Sequence, residues 1–298
     1  MIAVDIGNTR AKFGYFSCQP LQSRFPTPMS CIRILHGKNK YQNNGNLFDA
    51  RKLNLIADWL QNKQNCNNWN IAITAANCNP DSLIDNFISL APNSNFNVLT
   101  NDNIPINSNV NSPTKIGIDR LLDALAATKF IENKSLPRII ETIIVIDAGT
   151  AITIDVVKIN YNSTSTSTSN YATFEGGAIL AGLKTLSVTL NHAINKLPEI
   201  NIADFNSIEN LTYPAKNTES AIVIGIVGSL ISTINFFVKK VETTNSNESN
   251  NQQIPIIFTG GDAQIIANLY AREFPNSCLS IAPDLTLAGI AITVFQQQ

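Results

Sequence analysis

The chain has 298 residues, of which 44% are hydrophobic and 14% are charged, and its formal net charge at pH 7 is -1. This length allows two domains of ordinary size, each with its own core. The near-neutral charge excludes the basic surface of a nucleic-acid-binding protein and the basic belt of a membrane-surface protein, so we expect neither nucleic acid nor a membrane as a partner.

The numbers and positions of the cysteines and histidines also exclude several kinds of site. Five cysteines are scattered without a C-x-x-C pair, and there are only two histidines, which argues against a disulfide framework, a zinc site and a His-based triad. The start of the chain shows no signal-peptide pattern, so we expect a cytoplasmic protein. The apolar stretch 221–238 is long enough to span a membrane, but its Ser, Thr and Asn residues favour a buried helix.

In the first half of the chain, apolar periodicity predicts a hairpin followed by alternating strands and helices. The predicted strands are 2–6, 10–16, 31–36 and 70–75, and the predicted helices are 52–62 and 82–90. The Asn- and Pro-rich stretch 101–113 has little periodicity, so we place a domain boundary at its end. The predicted domains are therefore 1–113 and 114–298.

The second half repeats this plan. Its predicted helices are 118–130, 180–194, 219–241, 263–270 and 285–295, and its predicted strands are 143–146, 151–157, 256–259 and 278–281. The polar tracts 160–170 and 242–253 are predicted loops, the first of them the tip of a hairpin. Hairpins followed by alternating helices and strands predict an α/β fold with mixed sheets.

The two halves share a motif at the end of an apolar strand. The sequence D-I-G-N-T begins at Asp5, and D-A-G-T begins at Asp147, half a chain later. Glycine lets the backbone approach a ligand, turn N–H groups can hold phosphate oxygens, and the Asp can reach a metal ion on those phosphates. A third turn, T-G-G-D from Thr259, opens a helix whose N-terminus suits phosphate or ribose. Each turn alone is common, but together they predict two halves that close on one nucleoside triphosphate.

In chain order, these motifs resemble those of type III pantothenate kinases, in the acetate and sugar kinase/Hsp70/actin superfamily. The resemblance extends to G-I-D-R at Gly117, G-G-A-I at Gly176 and T-E-S-A-I at Thr218. It implies two ribonuclease-H-like (actin-like ATPase) domains, with mixed β-sheets flanked by helices and an ATP cleft between them. It also implies phosphoryl transfer from ATP to pantothenate, which gives 4′-phosphopantothenate for coenzyme A biosynthesis.

The resemblance assigns roles to individual residues. Asp119 is the expected catalytic base, Asp5 the expected Mg²⁺ ligand, and Asp147 the expected ligand of a monovalent cation, K⁺ or NH₄⁺. Asp119 opens a predicted helix, whose dipole favours a carboxylate there. The expected ATP-binding residues are Asp5, Ile6, Gly7, Asn8, Thr9, Arg10, Ala11, Lys12, Thr150, Gly260 and Gly261. The expected pantothenate-binding residues are Gly117, Ile118, Asp119, Arg120 and Thr218, in a pocket that in this family lies at a homodimer interface.

Two other functions stay open. Another small-molecule kinase of the superfamily is disfavoured by G-I-D-R, and a non-catalytic regulatory paralogue of the Bvg accessory factor type is disfavoured by retention of Asp5, Asp119 and Asp147. Two positions depart from the family pattern: Val110 stands where an aromatic residue is common, and Ala181 where proline is common. Both departures bear on pantothenate affinity.

Overall fold

The computed structural model describes residues 1–16, 25–36, 47–63, 69–75, 80–134, 140–160, 172–202, 212–245 and 253–296. Its strands are β1 (Ile2–Ile6), β2 (Arg10–Tyr15), β3 (Ser30–Leu35), β4 (Asn70–Ala75), β5 (Asn95–Val98), β6 (Asn107–Ser108), β7 (Thr142–Ala148), β8 (Ala151–Ile159), β9 (Ala172–Ala181), β10 (Ile256–Thr259) and β11 (Leu279–Ile281). Its helices are α1 (Ala50–Gln61), α2 (Pro80–Leu90), α3 (Ile118–Asn133), α4 (Leu183–Ala193), α5 (Thr218–Asn245), α6 (Ala263–Glu273) and α7 (Leu285–Gln296).

The elements form two compact units. The first contains residues 1–137 and the C-terminal segment 284–298, and the second contains β7, β8 and residues 174–283. Helices α3 and α7 belong to the first unit, where an added Cβ at Gly289 of α7 would overlap the Leu122 carbonyl of α3. These unit limits lie elsewhere than the expected domain boundary at residue 113, which stays a prediction.

The first unit is built on a mixed sheet with strand order β3-β2-β1-β4-β5. Strand β1 is antiparallel to β2 and parallel to β4. All five residues of β1 are buried, as expected for a central strand covered on both faces. Asp5, near its C-terminal end, lies opposite Lys12 of β2 and Thr74 of β4.

The second unit repeats this arrangement, with neighbouring strands in the order β11-β10-β7-β8-β9. Strand β7 is antiparallel to β8 and parallel to β10. Asp147, near the end of β7, lies opposite Thr153 of β8 and Thr259 of β10. Strands β7, β8 and β10 therefore correspond to β1, β2 and β4, and the predicted α/β fold with mixed sheets is confirmed.

Two predicted elements need correction. The predicted helix 180–194 begins only at Leu183, because the residues before it continue β9. Gly177 lies so close to β8 that an added Cβ would overlap the Ile154 carbonyl, so this glycine-containing run packs as a strand. The predicted loop 242–253 is helical through Asn245, and Lys239 and Glu242 form an ion pair of 2.7 Å on consecutive turns there. Apart from residue 160, the predicted loop 160–170 lies outside the described residues.

Helix α5 is the apolar stretch that the sequence singled out. Among the described helices, it is the one long and apolar enough to cross a membrane by length and composition, and 44% of its apolar window is buried. Val223 and Ile234 of α5 belong to the same buried cluster as Phe258 of β10. We therefore interpret α5 as a core helix of the second unit, as predicted.

Candidate active site

The turn between β1 and β2 is fixed by backbone contacts. The Gly7 N–H donates to the Arg10 carbonyl at 3.0 Å, and the His36 N–H donates to the Thr9 carbonyl at 3.1 Å. The His36 ring atom Nε2 also lies 3.1 Å from the Gly7 carbonyl. Asn8, at the tip, is exposed. A turn held in this way presents its polar tip in one conformation, which suits phosphate binding.

The other residues of the β1–β2 motif that are expected to bind ATP differ in how exposed they are. Ile6 and Ala11 are fully buried and lie opposite each other in register, so only their backbone groups can approach a phosphate. Arg10 is exposed, and Lys12 is partly buried beside Asp5. The sequence did not single out His36, since its contact with Gly7 joins residues that follow different strands.

Asp5 is a buried carboxylate with two side-chain neighbours. Lys12 Nζ lies 3.7 Å from its Oδ2, and the Thr74 hydroxyl donates to its Oδ1 at 3.3 Å. Burial raises the pKa of Asp5 above its ordinary value; the charge of Lys12 opposes this shift and that of Asp119 adds to it. Asp5 and Asp119 are therefore close enough to interact, although they are far apart in the sequence.

Asp119 lies in the first turn of α3. Gly117 caps this helix, and Oδ1 of Asp119 accepts a hydrogen bond from the Arg120 N–H at 2.9 Å. A Cβ added to Gly117 would lie 2.5 Å from that oxygen. Glycine at this position therefore leaves the space that the Asp119 carboxylate occupies. Ile118 and Arg120 are both partly buried beside it.

In the second unit, the turns that follow β7 and β10 meet. Gly260 has a φ of 93°, and an added Cβ would overlap both the Asp147 carboxylate and the Ala148 carbonyl. The Asp262 N–H donates to the same Ala148 carbonyl at 2.9 Å. The structure thus brings together Asp147 and Gly260, and the exposed Gly261 lies beside them in the chain.

Thr150 and Thr218 occupy different places in the second unit. The Thr150 carbonyl accepts hydrogen bonds from the Gly182 N–H at 3.0 Å and from the Thr185 hydroxyl at 2.7 Å, so the start of α4 holds this turn. Thr218 is exposed in the first turn of α5, which the Asn217 side chain caps by accepting from the Ser220 N–H at 2.7 Å.

Oxygen donors at the two strand ends fit the expected cations. Asp5 and Asp147 offer carboxylates, and the hydroxyl of Thr259 is buried with no hydrogen-bond partner among the described residues. Within the part of the chain that the structure describes, no three His, Cys, Asp or Glu side chains form a metal cluster. A Mg²⁺ ion held mainly by substrate phosphates needs only one or two protein carboxylates.

Comparisons with known proteins link the chain to one family. The profile of the type III pantothenate kinase family matches residues 1–240. A type III pantothenate kinase of Thermosipho melanesiensis is 32% identical over 55% of this chain and 54% of its own length, so the chain spans about half of that relative. One from Flavobacterium johnsoniae is 27% identical over 93% of this chain and 92% of its own length.

A solved structure shows the same fold. A Campylobacter jejuni protein assigned as a Baf family transcriptional activator matches with a TM-score of 0.52 and 18% identity, over 100% of this chain and 98% of that chain. The predicted α/β fold with two mixed sheets flanked by helices is confirmed. Because the profile of the type III pantothenate kinase family matches most of the sequence, the chain belongs to that family.

Proposed function

We propose that this protein phosphorylates the hydroxyl group of pantothenate with ATP, forming 4′-phosphopantothenate and ADP in the first step of coenzyme A biosynthesis. The observation that carries the proposal is the geometry at Asp5, whose carboxylate lies near the end of β1 with Lys12 Nζ at 3.7 Å and the Thr74 hydroxyl at 3.3 Å, next to the glycine turn expected to bind phosphate. The charge of Asp119 in the G-I-D-R motif also contributes to the raised pKa of Asp5. Membership of the type III pantothenate kinase family supports the same reaction.

In the proposed reaction, Asp119 accepts the proton of the pantothenate hydroxyl. The hydroxyl oxygen forms a bond to the γ-phosphorus of ATP, and the bond from that phosphorus to the β,γ-bridging oxygen breaks to release ADP. A loose phosphoryl-transfer transition state needs little deprotonation before attack, so a carboxylate can serve as the base. Arg120 and the Gly117 backbone would bind the carboxylate or amide of pantothenate, since the planar guanidinium can pair with two oxygens.

Each unit contains residues expected to bind ATP. The β1–β2 turn and Lys12 would supply hydrogen-bond donors to phosphate oxygens in the first unit, and Thr150, Gly260 and Gly261 would do so in the second. Asp5 would hold Mg²⁺, which, when bound, neutralises negative charge on the phosphates. Most of the catalysis would then come from positioning and charge stabilisation.

A coupled assay of ADP formation in K⁺ buffer tests this function. We expect ADP to form at a rate that depends on pantothenate, and a product with the mass of 4′-phosphopantothenate. Acetate and hexoses serve as control substrates, because the other kinases of this superfamily act on such molecules. ADP formation with a control substrate but not with pantothenate would contradict the proposal, as would no turnover with any substrate, which a regulatory paralogue would show.

We also propose that activity requires K⁺ or NH₄⁺, held at Asp147. When K⁺ is replaced by Na⁺ at constant ionic strength, kcat should fall roughly tenfold or more, a loss of about 1.4 kcal/mol of transition-state stabilisation. NH₄⁺ should restore the rate, since its radius is close to that of K⁺. Initial rates in the three salts measure this effect, and equal rates in Na⁺ and K⁺ would remove the assignment.

A homodimer and a cytoplasmic location belong to the same proposal. The T-E-S-A-I motif and the exposed position of Thr218 at the start of α5 support a pantothenate pocket completed at a subunit interface. The scattered cysteines, of which Cys31 and Cys278 are free, support a reducing compartment.

A further inference from the structure

The two sheets place equivalent residues around their strand-end carboxylates. Directly opposed residues on neighbouring strands lie on the same face of a sheet. Asp5 therefore shares its face with Lys12 on the antiparallel side and Thr74 on the parallel side. Asp147 shares its face with Thr153 on the antiparallel side and Thr259 on the parallel side.

The equivalence includes one difference in charge. In the first sheet, the position beside the carboxylate carries an ammonium group, and Lys12 Nζ lies 3.7 Å from Asp5. In the second sheet, the same position carries the neutral hydroxyl of Thr153. Both sheets keep a threonine on the parallel neighbour, but the two hydroxyls differ in their contacts. Thr74 donates to Asp5 at 3.3 Å, whereas the Thr259 hydroxyl is buried and has no hydrogen-bond partner among the described residues.

A buried hydroxyl without a partner is costly, and a bound ion or water is one way to satisfy it. The oxygens of the Thr259 hydroxyl, the Thr153 hydroxyl and the Asp147 carboxylate are of the type that hard cations prefer. Thr153 is only partly buried, so a cation can reach this face. Position 260, beside this face, requires glycine, because an added Cβ would overlap the Asp147 carboxylate.

We propose that the second sheet binds its monovalent cation at the position equivalent to the Lys12 ammonium group, with the Thr153 and Thr259 hydroxyls completing the site at Asp147. This rests on the proposed cation requirement and adds two ligands to it. The cation then does for Asp147 what Lys12 does for Asp5: it places a positive charge beside a strand-end carboxylate.

Thr153→Lys tests the proposal, because it places a covalent ammonium group where the cation would bind. The measurement is the thermal unfolding midpoint of the full chain without substrates, titrated with KCl against choline chloride at constant ionic strength. In the wild type, K⁺ should raise the midpoint as a ligand of the native state does. In Thr153→Lys, the midpoint in choline should already be raised, and K⁺ should have no further effect.

Thr153→Met is the matched control, since it has similar length and no charge. In Thr153→Met, K⁺ should no longer raise the unfolding midpoint, and the midpoint in choline chloride should not be raised. A Thr153→Lys variant that keeps the wild-type response to K⁺ would overturn the proposal.

If the lysine side chain in Thr153→Lys disturbs β8, variants of Thr259 still test the proposal. Thr259→Val removes only the hydroxyl and should raise the K⁺ concentration at half-maximal response roughly tenfold or more, whereas Thr259→Ser should retain the wild-type response. Thr74→Val, the equivalent change in the first sheet, should leave the response to K⁺ unchanged. A wild-type response in Thr259→Val would overturn the role of Thr259. Because unfolding is measured without substrates, failure of the kinase assignment would leave this result interpretable.

Discussion

Asp119→Asn should reduce kcat by about 10²- to 10⁴-fold, the usual contribution of a positioned general base. The amide keeps the size of the carboxylate, and its oxygen can still accept the hydrogen bond that Arg120 N–H donates at 2.9 Å. It cannot take a proton from the attacking hydroxyl. Steady-state kinetics with pantothenate measure the loss, and circular dichroism should show an unchanged fold.

Asp58→Asn is the matched control for this variant, because Asp58 is an exposed carboxylate on α1. It should retain the wild-type kcat. Turnover of Asp119→Asn at the wild-type rate would show that Asp119 is not the base.

Asp5→Asn should lower kcat/KM for ATP at least about a hundredfold, or about 2.7 kcal/mol, and yet raise the stability of the protein. Activity falls because the amide is a poor ligand for Mg²⁺. Stability rises because burial raises the pKa of Asp5 above its ordinary value of 3.8, so that the folded state disfavours the ionised carboxylate even with Lys12 beside it. The neutral amide removes this cost at neutral pH.

The pH dependence provides a second test of the Asp5 variant. An acid whose pKa is raised by folding releases its proton more readily when unfolded, so ionisation of Asp5 lowers the wild-type free energy of unfolding. This loss begins near pH 3.8, the ordinary value, and is complete once the pH exceeds the raised pKa. Urea denaturation should show that the stability advantage of Asp5→Asn over the wild type grows across this pH range. A variant that is less stable than the wild type at neutral pH would contradict the interpretation.

The sequence predicts most of the elements that carry the site. Strand β1 and helix α3 are found close to their predicted limits. In β1 only Asp5 interrupts the apolar residues, and in α3 the apolar residues Leu121, Leu122, Leu125 and Ala126 follow helical spacing. Strand β9 was missed, since its glycines hide the strand pattern and its last apolar residues match the spacing of the helix that follows. The correct location of β9 depends on contacts with β8, such as that of Gly177.

The neighbours of the predicted site residues could not be read from the sequence in the same way. Thr74 is 69 residues from Asp5, and no local pattern shows which residue of β4 lies opposite that carboxylate. The same holds for Thr259 and Asp147, and for the contact of His36 with the phosphate turn. These contacts depend on strand register, which is fixed by the packing of the whole sheet.

The position of α7 has a consequence for how the chain folds during synthesis. This helix is almost entirely buried and packs against α3 and β1, so the core of the first unit includes residues from both ends of the described chain. Residues 174–283 of the second unit are synthesised before α7. The first unit, which contains Asp5 and Asp119, can therefore complete its core only after α7 has been made, and until then the face of α3 that α7 covers stays exposed.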